Sequence, residues 1–289
     1  MTQNSATLVG LSAIVMWSLL AALTVATGHI PPFQLAAMTF ALGGCIGPLT
    51  WLWRPGAARA LRQPLVAWAV GVGGLFGYHA LYFLALRLAP PAAAGLLCYL
   101  WPLLIVLFSA ALPRERLTAR HVIGAVLGLA GTTLLLVGSG GSAAPLSAGA
   151  VWGLVAAFCA AFVWAGYSVM SRRFAAVSTD AVAGFCLVTA VLALLCHLAF
   201  ETTVWPSAPT QWVCIAALGL GPVGLAFYTW DIGMKRGDIR LLGVLSYATP
   251  VLSTVVLVLA GFAAPTPALA LAALLIAGGG FAAARGPQR

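Results

Sequence analysis

Residues 71–102 read GVGGLFGYHALYFLALRLAPPAAAGLLCYLWP. Two apolar runs, each long enough to cross a bilayer, meet at Arg87 and the turn Ala89-Pro90-Pro91. Tyr78, His79, Tyr82, Tyr99 and Trp101 lie inside these runs, and Pro102 interrupts the second. A shift of 148 positions repeats the pattern: Arg87 falls on Lys235, Tyr82 on Trp230, Tyr99 on Tyr247 and Pro102 on Pro250. A polar, proline-broken helix pair written twice is the sequence pattern of a binding site that a membrane carrier builds at mid-depth.

The rest of the chain agrees with a membrane setting. Of 289 residues, 62% are hydrophobic and 7% charged, against roughly 25% charged in a soluble chain. Too few polar residues exist to cover a water-facing surface. In lipid the backbone must satisfy its own amides, which leaves helices or closed barrels. The apolar runs are continuous and not alternating, so they predict helices. The net charge of +9 sits between the runs, where membrane topology explains it and nucleic-acid binding is not needed. The six cysteines (Cys45, Cys98, Cys159, Cys186, Cys196 and Cys214) lie in apolar runs without metal-site or redox spacing, which predicts neither disulfides nor a metal. The run from Ala6 to Thr27 is too long for a cleavable signal core and has no basic residue before it, so it reads as a retained first helix.

Turn residues divide the chain into ten spans of about 20 residues: roughly 6–28, 33–53, 65–88, 91–112, 119–138, 147–170, 180–200, 210–234, 239–261 and 266–284. The predicted fold class is an all-α membrane protein, with ten transmembrane helices as two inverted five-helix repeats. The first repeat covers residues 1–138, a linker 139–146, and the second, inverted repeat 147–289. An odd number of spans per half forces the inversion. Of the 14 cationic residues, 13 fall on one side of this arrangement and only Arg87 on the other. That asymmetry predicts both termini in the cytoplasm. Small residues at four-residue spacing, Gly73/Gly77 and Gly124/Gly128, mark close helix packing within the chain or, with Gly131, a dimer face.

Tyr78 and Tyr82 share a face of span three, with His79 beside them. Phenol and imidazole groups at this depth need protein or water around them, which points to a substrate-binding cavity, although tyrosines also anchor helices at the headgroups. Tyr99 and Trp101 sit mid-span next to Pro102. Proline removes an amide donor, so Pro102 frees the carbonyl of Cys98, Pro250 that of Ser246 and Pro222 that of Leu218. Such carbonyls receive an ammonium group or a water, or simply mark packing kinks. Trp17 and Trp164 occupy matching places in the two halves and are candidate substrate-binding rings; Tyr167, Phe227, Trp230 and Tyr247 extend the aromatic set. His79 and Asp231 are the candidate proton carriers; Asp231 also stands four residues before Lys235, the spacing of a helical ion pair. His29, His121 and His197 read as surface or interfacial residues. No phosphate-binding loop, zinc-protease motif or nucleophile constellation is present in the sequence, and no cofactor, catalytic residue or metal site is expected.

With Ala85-Leu86-Arg87 leading to Tyr99-Leu100-Trp101-Pro102-Leu103, and Gly233-Met234-Lys235-Arg236-Gly237-Asp238 leading to Ser246-Tyr247-Ala248-Thr249-Pro250-Val251, the chain resembles the drug/metabolite transporter superfamily in its ten-helix EamA-type branch. Glu115-Arg116-Leu117-Thr118 is similar to that branch's short acidic loop, which the second half lacks. The Tyr-Leu-Trp-Pro run, with Tyr78-His79 and Tyr82, is similar to the YddG-type exporters of aromatic amino acids. The resemblance implies a multi-pass exporter of the bacterial inner membrane, with a pocket between the halves and residues Tyr78, His79, Tyr82, Tyr99 and Trp101 lining it. The expectation is a secondary transporter of aromatic and other neutral amino acids working by alternating access, with a small-molecule substrate and the lipid bilayer as partners and a monomer as the working unit. Efflux of drugs or lipophilic cations and a passive metabolite facilitator are the alternatives.

Overall fold

Uncharged runs of leucine, alanine, valine and glycine can satisfy their amides in lipid only by coiling. Every regular element among the described residues of the computed structural model is accordingly helical. The structure describes residues 1–54, 56–113, 117–138, 148–261 and 264–284. Ten apolar spans are found among them: α1 (Gln3–Ala26), α2 (Pro32–Trp51), α3 (Leu65–Leu88), α4 (Ala93–Ser109), α5 (Ala119–Leu134), α6 (Gly149–Arg173), α7 (Ala181–Phe200), α8 (Pro209–Arg236), α9 (Ile239–Leu259) and α10 (Pro267–Ala283). Seven are long enough to cross a membrane, and α4, α5 and α10 are shorter apolar helices. Pro32, Pro91, Pro209 and Pro267 each open a helix, where a missing amide hydrogen removes no helical bond. The expected linker 139–146, the loop with Arg114, Glu115 and Arg116, and Arg285 and Arg289 lie outside the described residues.

The packing has the symmetry of two inverted five-helix repeats. Helix α2 packs on α7 and α5 on α10, each pairing one half with its own counterpart. The α1–α8 contact is matched by α6–α3, its image when the halves exchange. The crossings depend on glycine. A Cβ on Gly124 of α5 would lie 2.6 Å from the carbonyl oxygen of Gly279 on α10, and one on Gly279 equally close to that of Gly124. On α1, a Cβ on Gly10 would meet Leu242 and the Cα of Gly233. Gly128 is filled by the Tyr247 ring and Gly131 packs on α10, so the glycines of α5 are used within the chain. Gly124→Val should lower stability by about 1–3 kcal/mol through overpacking. Thermal unfolding in detergent checks this, with Gly73→Ala, where nothing lies within 4 Å, expected to melt like wild type.

The described loops after α2, α6 and α8, all of which bear arginines, meet at one end. Arg54 makes hydrogen bonds to both carboxylate oxygens of Asp180, the nearer at 2.7 Å, tying the end of α2 to the start of α7. Arg172 reaches the carbonyl of Gly237, and the Asp238 amide donates to Thr7 Oγ1 at 2.8 Å. Partial burial alone would raise the Asp180 carboxyl, but hydrogen bonds from Arg54, Trp51 and Ser178 hold it below its ordinary range. A depressed carboxyl contributes stability above its unfolded value, near 4, and loses it as pH falls further. Because the pair is exposed, Asp180→Asn should change the melting temperature little at pH 7 and remove what acid sensitivity this pair supplies below about pH 4.

At the opposite end the α2 N-terminus is capped from α7. The Glu201 carboxylate accepts the amides of Phe33 and Gln34, each at 3.1 Å, and sits 3.0 Å from His197 Nδ1. The positive end of α2 and four unpaired amides explain the need for an acceptor there. His197, read from the sequence as surface or interfacial, is therefore buried and paired, and His121 is buried too, with Nδ1 2.8 Å from Thr118 Oγ1. His29 is exposed as expected.

Four spans are interrupted. α1 breaks at Leu19, between Gln3–Ser18 and Leu20–Ala26. α4 breaks at Tyr99 and Leu100, before Trp101–Ser109. α8 contains a π-turn, Gly221–Leu225, and α9 breaks at Ser246 and Tyr247, before Ala248–Leu259. Pro102 and Pro250 thus fall in the first turn of the helix that follows each break, and the chain opens just ahead of them. The Ser246 carbonyl is not left free, because the Thr249 amide donates to it at 3.0 Å in a tightened turn.

Candidate functional site

The interruptions in α1, α4 and α8 bring large rings together at the centre of the bundle. Trp17 precedes the α1 break, Trp101 follows the α4 break, Trp164 lies on α6, and Trp230 follows the π-turn of α8. Each of these four tryptophans has its ring centroid within 6.4 Å of the other three. Two come from each half. Most of the contacts are edge-on or tilted, the favoured arrangement for aromatic quadrupoles. The indoles are also held by hydrogen bonds: Trp17 Nε1 donates to the Pro222 carbonyl at 3.0 Å, and Trp230 Nε1 to Ser168 Oγ at 3.1 Å. The first of these uses a carbonyl of the π-turn, so that turn positions Trp17.

Next to the tryptophans, toward the Arg87 end of α3, lie the remaining expected rings. Tyr78 and Tyr82 stack at 5.9 Å with planes 5° apart, and Tyr78 meets Trp164 at 5.2 Å. Cys98 Sγ donates to the Tyr78 hydroxyl at 3.4 Å. His79 lies edge-on against Phe40 at 4.9 Å and near Phe227. Its Nδ1 donates to the Leu75 carbonyl at 2.7 Å; Nε2 has no partner among the described residues. Tyr78, His79 and Tyr82 stay half-buried while touching side chains of α4, α6, α2 and α8. They face the interior of the bundle. Tyr99 is half-buried at the α4 break itself, with no ring contact among the described residues.

Other expected residues take different places. Tyr247 does not line the site: it is fully buried, fills the space over Gly128, and its hydroxyl accepts the Leu103 amide at 3.2 Å. That amide is one of the unpaired donors at the start of Trp101–Ser109. Asp231 lies apart from the tyrosines, beyond the tryptophans toward the arginine-bearing end. It pairs with Lys235 Nζ at 2.8 Å, as the spacing allowed. Arg87, the counterpart of Lys235, is exposed, and the position matching Asp231 is Phe83. Phe40, stacked on Phe227 at 5.5 Å, is a ring of this site that no sequence signal marked; α2 has neither a polar cluster nor a repeat match to point to it.

A ten-helix bundle of inverted repeats, with broken helices meeting around inward-facing rings, defines a carrier of the secondary-transporter kind. The chain belongs to the EamA-like transporter family, which matches at residues 4–137 and again at 151–284. It is 59% identical over 279 residues to the aromatic amino acid exporter YddG of Ancylobacter novellus, covering 96% of each chain. It is 31% identical over 271 residues to the aromatic amino acid exporter YddG of Salmonella typhimurium, covering 88% of each. A protein of known crystal structure, 58% identical, superposes with a TM-score of 0.92 over 98% of this chain and 97% of its own.

Proposed function

We propose that the protein exports aromatic and other neutral amino acids by alternating access. The observation that carries the reading is the convergence of two tryptophans from each half, with Tyr78, His79 and Tyr82 half-buried beside them. A ring site assembled from both halves changes shape when the halves rock against one another. The substrate's ring stacks on Tyr78, Tyr82, Tyr99 and Trp101, with Trp17 and Trp164 behind. Its head group meets His79 Nε2 and the Cys98 carbonyl freed by Pro102. The names of the YddG relatives support the substrate class. The two repeats are residues 1–138 and 147–289, joined by 139–146. No chemical step is required, so the protein acts as a carrier and not an enzyme. The one-sided arginines support an inner-membrane placement with both termini in the cytoplasm. Efflux of lipophilic cations is less well supported, because the Asp231 carboxylate already holds a lysine and leaves no net negative charge for a cation.

The test is flux in proteoliposomes, with and without a pH gradient, over phenylalanine, tryptophan, leucine and a lipophilic cation. Saturable phenylalanine and tryptophan flux, competed by amino acids and not by the cation, is expected. Competition by the cation alone would overturn the reading. Tyr82→Ala removes the stacked partner of Tyr78 and one substrate contact. At roughly 0.5–1.5 kcal/mol per aromatic pair, its kcat/KM should fall about tenfold.

A further inference from the structure

Below the tryptophans, toward the arginine-bearing end, a small cavity opens between α3, α6, α7 and α8. Its lining includes Tyr167, Ser171, Phe174, Phe185, Asp231 and Lys235. It is large enough for a water molecule and too small for an amino acid. The polar groups around it are incompletely used. Asp231 accepts Lys235 Nζ at 2.8 Å and Thr179 Oγ1 at 2.6 Å, both on Oδ2; Oδ1 has no protein partner among the described residues. Lys235 Nζ also donates to the Val177 carbonyl at 2.9 Å, which leaves one of its three N–H groups unused. Among the described residues the Tyr167 hydroxyl has no hydrogen bond of good geometry, in a residue only 5% exposed. An unpaired phenol at this depth is destabilising, and a fold keeps such a group where something else fills its place.

One free acceptor and two free donors therefore converge on a space walled by phenylalanine rings. We propose that this cavity is the collapsed form of a loading site for the zwitterionic head group of an α-amino acid arriving from the arginine-bearing face. The inference rests on the amino-acid reading above. The substrate's ammonium takes Asp231 Oδ1. Its carboxylate takes the free N–H of Lys235 and the Tyr167 hydroxyl, and its side chain lies on Phe174 and Phe185. The Asp231–Lys235 pair occupies the site when it is empty and yields to a ligand carrying the same two charges. Trp164 touches Tyr167 at 5.4 Å and Tyr78 at 5.2 Å, so one tryptophan links the lining of the cavity to the central rings. A substrate leaving the loading site meets the central site next.

The test uses L-phenylalanine flux into and out of proteoliposomes of uniform orientation, comparing wild type with Tyr167→Phe. That variant keeps the ring and loses the hydroxyl. Its KM for phenylalanine offered from the arginine-bearing face should rise about fivefold, the effect of one hydrogen bond. With no driving gradient, its KM from the opposite face should stay at the wild-type value while kcat for flux from that face falls in the same proportion, because at equilibrium the two directions must keep equal kcat/KM. An unchanged KM on both faces, or an equal rise on both, overturns the loading site while leaving the amino-acid reading intact. Absence of saturable phenylalanine flux in wild type overturns that reading and this inference with it.

Discussion

Asp231→Ala is expected to destabilise the protein by about 3–5 kcal/mol, the largest loss that removal of one charged side chain should cause. Asp231 is 3% exposed and Lys235 7%, so the alanine strands an ammonium in a nearly dry interior. A neighbouring main-chain carbonyl, that of Val177, remains to hold it, but a neutral dipole does not replace a carboxylate. Thr179 also loses its acceptor. The measurement is thermal unfolding in detergent of Asp231→Ala, Lys235→Met and the double variant. The double variant should recover most of the loss, because a buried ion pair replaced as a whole by apolar groups is often neutral. If the double variant falls by the sum of the two single losses, the two residues do not act as a pair. The double variant separates stability from transport as well: it should fold, yet load phenylalanine poorly from the arginine-bearing face.

The helices were legible because runs of about 20 apolar residues have few other uses. The repeat was legible through side chains that lipid makes expensive: Arg87 and Lys235, Tyr99 and Tyr247, Pro102 and Pro250. Which of these shared a role was not legible. Tyr99 stands at the α4 break and Tyr247 fills a glycine notch in α5, although both follow the same local grammar. That difference is set by α5, far away in the chain. The prolines pointed to the breaks, but the chain opens ahead of them, since a proline fits the first turn of the following helix. The Glu201 cap was invisible for a simpler reason: its acceptors and donors are separated by more than 160 residues, and a carboxylate at a span end looks like any solvated charge until α2 is placed against it. Phe40 and the meeting of four tryptophans likewise follow from helix crossings and not from spacing.

Trp101→Ala should show the second large effect, on stability and transport together. Trp101 is 6% exposed and touches Trp17, Trp164 and Trp230 at 6.3, 6.3 and 6.0 Å. Truncating a buried tryptophan costs about 3–5 kcal/mol through lost burial and the void left behind. Neighbouring side chains cannot close that void easily. Trp17 is pinned to the Pro222 carbonyl and Trp230 to Ser168, while Pro102 fixes the backbone next to position 101. The same void opens the tryptophan cluster beside Trp164, the ring that touches both Tyr78 and the Tyr167 of the Asp231 cavity. Trp101→Ala should therefore melt markedly lower and lose saturable phenylalanine flux at temperatures where it is still folded. Trp101→Phe keeps most of the ring, and should retain more than half of the stability difference and measurable saturable flux. Stability lost by the alanine variant with wild-type flux in its folded fraction would mean that the tryptophans are packing alone, and that the substrate path runs past them elsewhere.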